Sequence, residues 1–125
     1  MPQPPITEAQ IASLVEGFYA AIRRDAVLAP VFLARIGEDE AAWEAHRAVL
    51  RRFWSAIMRR SGAYQGNPFA AHLHLPGLTP AMFDRWLALF GATCDELFPP
   101  EMAAAFRERA GRIARSLRMG IFERA

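Results

Sequence analysis

The chain has three histidines, His46, His72 and His74, and their settings differ. His72 stands in Phe69-Ala70-Ala71-His72-Leu73, where helical spacing puts Phe69, His72 and Leu73 on one face. An imidazole on an apolar face offers a neutral ring nitrogen to a dry pocket, and haem iron takes an axial ligand of that kind. A core histidine satisfied by a backbone carbonyl has the same setting. His74 is turned by about 200° from His72, at roughly 100° per residue, and looks elsewhere. His46 also reads as inward, from a different helix, so two imidazoles can face opposite sides of one flat object. Tyr19 and Trp86 each join an apolar ring to one donor, and a buried donor must find an acceptor. That acceptor is either a backbone carbonyl or dioxygen polarised on an iron. One cysteine, Cys94, and no His-x-x-x-His pair give no tetrahedral zinc set. Cys94 sits mid-stripe on a helix and reads as a small buried hydrophobe, not a nucleophile.

The elements that must hold these residues are all helical. Thr7-Glu8-Ala9-Gln10 is a capping box, with Ile6 and Ile11 placed to staple across it. Ile11, Leu14, Val15, Phe18 and Ile22 then follow at three- and four-residue spacing to about Asp25, with Tyr19 at the edge of that face. Pro30 opens a shorter helix, Val31 to Ile36, which Gly37 ends. A third helix is expected from about Asp39 to Arg60, with Trp43, His46, Leu50, Phe53 and Ile57 on one stripe, Trp54 beside it and Ser61-Gly62 as its stop. Asn67 caps a short helix that begins at Pro68 and carries His72, and Pro76-Gly77 breaks it. Thr79-Pro80 starts a long helix with Phe83, Trp86, Leu87, Phe90, Cys94 and Leu97 inward, up to Pro99-Pro100. A last helix to about Phe122 turns Met102, Phe106, Ala110, Ile113 and Leu117 inward. No strand-like alternation and no internal repeat appear.

Length and composition bound the rest. A chain of 125 residues with 53% hydrophobic and 22% charged residues is expected to form one domain, residues 1–125, with 1–6 as a flexible tail. Nine Phe, three Trp and five Met in so short a chain suit either a dense core or a lined pocket. The net charge of +2 comes from arginines scattered at helical spacing, with no basic block to track phosphates, so no nucleic-acid partner is expected. The start lacks a signal peptide and no apolar run spans a bilayer, so no membrane partner is expected and a cytoplasmic location is.

Several segments, taken together and in order, resemble the third group of truncated haemoglobins. They are Phe18-Tyr19; Trp43-Glu44-Ala45-His46 leading to Phe53-Trp54; Tyr64-Gln65-Gly66-Asn67-Pro68; His72-Leu73-His74-Leu75-Pro76; and Phe83-Asp84-Arg85-Trp86-Leu87. The likeness runs from roughly Ile6 to Leu117, and the Gly-Gly pairs that mark the other two groups are missing. It implies a bacterial, globin-like two-over-two helical sandwich enclosing haem b. In that reading His72 is the proximal iron ligand, Tyr19, His46 and Trp86 are distal, and Phe69, Leu73, Phe53 and Leu50 touch the cofactor. A five-coordinate iron would take O2, NO and CO. Reaction of O2 with nitric oxide, peroxidase-like chemistry, and gas sensing or storage are the activities the resemblance leaves open. A haem-free helical interaction protein is the alternative outside it. Any redox cycle needs a separate reductase, since no flavin or nicotinamide motif is present, and a monomer or weak dimer is expected. Arg47 and Arg51 flank the inward stripe as candidate partners for the haem propionates.

Overall fold

The structure, a computed structural model, describes residues 5–60 and 79–122, with side chains as far as residue 120. The short helix expected from Pro68, with Phe69, His72, Leu73 and His74, lies outside the described residues, as do Ser61-Gly62 and Pro76-Gly77.

Five helices make up the described chain, each opened by a side-chain cap or by a proline in the first turn. α1, Glu8–Arg24, opens on the expected capping box: Thr7 Oγ1 accepts from the Gln10 N–H at 3.1 Å, and Gln10 Oε1 accepts from the Thr7 N–H at 2.9 Å. α2, Ala29–Ile36, starts two residues before the expected Val31, because a proline at the second helical position lacks an N–H that would have no partner there anyway. Gly37, at φ 93°, ends it as the sequence suggested. α3, Glu40–Arg59, is capped by Asp39 and stops at Arg60, which takes the left-handed conformation itself at φ 55°. α4, Pro80–Leu97, and α5, Pro100–Phe122, meet at a corner where Phe98 is extended.

These helices stack in two layers. α1 packs against both α3 and α4, α4 packs against α5, and α2 touches α1 and α3. The result is an all-α, two-over-two sandwich. At one end of the α1–α3 pair Arg23 Nη1 meets Glu40 at 2.8 Å. At the other, Arg59 Nε meets Glu8 at 2.7 Å, and the buried Ser55 hydroxyl donates to the same carboxylate at 2.7 Å. Gly17 lets α1 come close to α4, where a Cβ would stand 3.3 Å from Thr93 Cγ2.

Between the layers runs a column of rings. Trp86 stacks on Phe90 at 5.4 Å, Phe90 on Trp54 at 5.1 Å, Trp54 leans on Phe106 at 5.8 Å, and Phe106 stacks on Phe98 at 5.1 Å. Each such pair adds about 0.5–1.5 kcal/mol beyond the area it buries. Trp43 is fully buried, donates its indole N–H to the Gly37 carbonyl at 2.7 Å, and carries the Arg23 guanidinium 4.6 Å above its ring. The expected faces need two corrections. Leu97 is exposed, because α4 ends there and the extended Phe98 turns into the core in its place. On α5 Ile113 is half-buried, while Ala103 and Ala114 are buried, small side chains that let the helix lie close to its neighbours.

Candidate functional site

Tyr19 is more deeply placed than its position at the edge of the α1 stripe suggested: it is buried, with edge-on contacts to Phe18, Phe32, Trp43 and His46. Its hydroxyl lies 3.1 Å from His46 Nε2 on α3. Burial pushes the Tyr19 phenol well above its ordinary pKa, so it stays protonated and keeps a proton to donate. Two tautomers fit the pair. The hydroxyl donates to an unprotonated Nε2, or a protonated Nε2 donates to the hydroxyl oxygen and leaves the phenolic proton free to point elsewhere. His46 therefore directs where the Tyr19 proton goes.

Trp86 reaches the same region from α4. Phe18 stands between the two donors, in contact with Tyr19 at 5.3 Å and with Trp86 at 5.4 Å. The stack on Phe90 and the edge-on contact with Phe18, at 82°, fix the plane of the indole. The indole is half-buried, and among the described residues its N–H meets no acceptor. Leu50 and Phe53 lie half-buried on α3 and pack against the core edge beside Ile57. Phe32, Leu33, Met82 and Leu87 are likewise packed on the core without being fully covered. Of the residues singled out in the sequence, Tyr19 and His46 are thus in direct contact, Trp86 joins them through Phe18, and Leu50 and Phe53 form an apolar rim. Phe69, His72 and Leu73 lie outside the described residues. Among the described residues no group of three or more His, Cys, Asp or Glu is placed to hold a metal ion.

Sequence reasoning passed over one charged pair. The Asp25 carboxylate is buried at the end of α1, where Oδ2 accepts the N–H groups of Val27 at 3.1 Å and Leu28 at 2.9 Å. Its Oδ1 accepts from Arg85 of α4, from Nε at 2.8 Å and Nη2 at 2.5 Å. The Arg85 guanidinium holds the Asp25 carboxyl below the usual carboxylate range, against burial, which pushes it up, and the Leu28 and Val27 N–H groups add to the lowering. The signal was present in Asp25-Ala26-Val27-Leu28, an acidic residue followed at two and three residues by N–H groups it can cap. Arg47 and Arg51 are already engaged: Arg47 with Glu44 at 3.1 Å and Glu40 at 3.3 Å, and Arg51 with Glu44 at 2.6 Å. Cys94 is fully buried, its thiol pushed up to about 12 by burial, and so is held as an unreactive thiol.

A two-over-two helical sandwich with a buried phenol paired to a half-buried imidazole is a globin of the truncated type. No protein-family model matches the chain. It is 35% identical over 109 residues to a group 3 truncated hemoglobin of Campylobacter jejuni subsp. jejuni, covering 87% of this chain and 86% of that protein. The crystal structure of a group III truncated hemoglobin from Campylobacter jejuni superposes with a TM-score of 0.91 at 32% identity, covering 98% of this chain and 96% of that one. The chain belongs to the group III truncated haemoglobins, a family of haem-binding globins. The residues present fit a haem: an apolar rim left partly uncovered suits a flat macrocycle, and hydrogen-bonding groups stand behind it. No helix among the described residues is long and apolar enough to cross a membrane.

Proposed function

We propose that the protein binds O2 and the related gases NO and CO in a pocket where haem b is held through His72, with Phe69, Leu73, Phe53 and Leu50 against the macrocycle. When bound, the haem would supply an iron able to take a diatomic gas, with His72 as the residue that would hold it. The observation that carries this reading is the buried Tyr19 hydroxyl, paired with His46 and separated from the Trp86 indole by a single phenylalanine ring. Tyr19 and Trp86 donate to a gas that becomes polar when bound, and because both are packed in place before it arrives, they lose little freedom in doing so. His46 orients the phenolic proton, and the half-buried apolar rim keeps water from competing for it.

Two donors on one small ligand favour slow release of O2. Retention suits reaction of the gas with nitric oxide better than transport, and a separate reductase would then complete the cycle. The reading is tested by optical spectra of the ferric, ferrous and carbonyl forms of the purified protein. Sharp Soret bands that shift on reduction and on CO addition are expected. Protein that stays colourless after haem is added would refute the reading and leave a helical interaction protein.

A further inference from the structure

The two donors arrive on different helices, Tyr19 on α1 and Trp86 on α4, so their separation depends on how α1 and α4 are registered. Ring packing alone does not set that register. The contacts among Phe18, Trp86 and Phe90 are apolar and tolerate a slide of a few tenths of an ångström at little cost. The Asp25–Arg85 pair is directional. Asp25 closes α1 six residues after Tyr19, and Arg85 immediately precedes Trp86 on α4. One oxygen of the buried carboxylate is spent on the α1–α2 turn, through Val27 and Leu28, which anchors it. Its other oxygen takes two N–H groups of one planar guanidinium, which fixes the direction of approach as well as the distance.

We infer that Asp25 and Arg85 are positioning residues that set the distance between the Tyr19 hydroxyl and the Trp86 indole N–H, and through it the release of bound O2. This rests on the functional reading given above. Neither residue has a direct contact with Tyr19 or Trp86 side chains among the described interactions; both act through the backbone that carries the donors.

The test compares Arg85→Ala, Arg85→Lys and Asp25→Asn with Asp84→Asn, which removes the neighbouring exposed ion pair between Asp84 of α4 and Arg118 of α5. Three quantities are read: the ratio of O2 to CO release rates, the C–O stretching frequency of the carbonyl form, and the Trp86 indole N–H resonance with and without haem. Arg85→Ala and Asp25→Asn are expected to release O2 about tenfold faster, with CO release changed far less. The C–O stretch should rise as donors withdraw, and the indole resonance should move. Arg85→Lys keeps one donor and should recover part of each change. Asp84→Asn should leave all three quantities at the wild-type values. Variants that lose unfolding midpoint but keep the wild-type release ratio, stretch and resonance would overturn the inference, as would changes no larger than those of Asp84→Asn. Wild-type protein that takes up no haem would sink the functional reading instead, and the indole resonance of the haem-free protein would still decide whether the pair places Trp86.

Discussion

Replacing Tyr19 with phenylalanine removes one hydroxyl and little else. The ring keeps its edge-on neighbours, Phe18 at 5.3 Å, Phe32 at 6.0 Å and His46 at 5.0 Å, so the packing of α1 against α2 and α3 should survive. Lost are the 3.1 Å contact with His46 Nε2 and the donor available to a gas. A hydrogen bond to a partner carrying charge is worth about 1.5–3 kcal/mol. Since about 1.4 kcal/mol is a factor of ten, O2 release should accelerate roughly ten- to a hundredfold. Carbon monoxide is far less polar when bound and gains little from a donor, so its release should change by much less. Stopped-flow displacement of O2 by excess CO, and of CO by excess NO, measures the two rates on the same preparation. Equal acceleration of both gases would show that Tyr19 shapes passage into the pocket and does not bond the ligand. Unchanged rates for both would show that its proton stays with His46.

Other expectations follow from the same structure and sequence. His72→Ala should lose haem on gel filtration and recover gas binding with added imidazole, whereas His74→Ala should keep its haem-to-protein ratio; the reverse pattern would place the wrong histidine on the Phe69 and Leu73 face. Oxygenated protein mixed with nitric oxide should turn ferric and yield nitrate within the mixing experiment, and should cycle with a supplied reductase. O2 release on the sub-second scale together with a sluggish reaction would leave a carrier or sensor. Asp25→Asn should lower the urea midpoint at neutral pH. Because the folded Asp25 pKa is depressed, its contribution is complete above the ordinary aspartate value of about 4 and is lost as pH falls through the lower folded value, so the gap between variant and wild type should close in acid. Phe90→Ala opens the middle of the ring column and should cost about 3–5 kcal/mol in chemical denaturation.

Helix existence and phase were legible in the sequence because they follow from local spacing. The Thr7 box, the α1 stripe, the Gly37 stop and the inward turn of His46 all rest on neighbours within one or two turns. Helix ends were less so: Arg60 itself takes the left-handed conformation at the end of α3, whereas the sequence pattern pointed to Ser61-Gly62 as the stop. Pairings between distant segments were invisible. Asp25 and Arg85 are 60 residues apart, and no spacing rule joins them. Ser55 and Glu8 are 47 apart and were missed for the same reason. The depth of Tyr19 also escaped, since α2 and α3 cover it from the far side, and an edge position on one helix says nothing of what lies over that edge.

The column from Trp86 through Phe90, Trp54 and Phe106 to Phe98 also determines how the pocket wall yields under load. Planar rings turn about two torsions, and three of the four contacts in the column are face to face, so the rings hold one another's tilt, while sliding along a ring face is left to the directional Asp25–Arg85 pair. The rim on α3 is made differently. Leu50, Ile57 and Met58 are half-buried, flexible side chains that change rotamer at small cost. The ring column therefore keeps the tilt of the Trp86 indole, and the α3 rim is where side chains re-pack most cheaply.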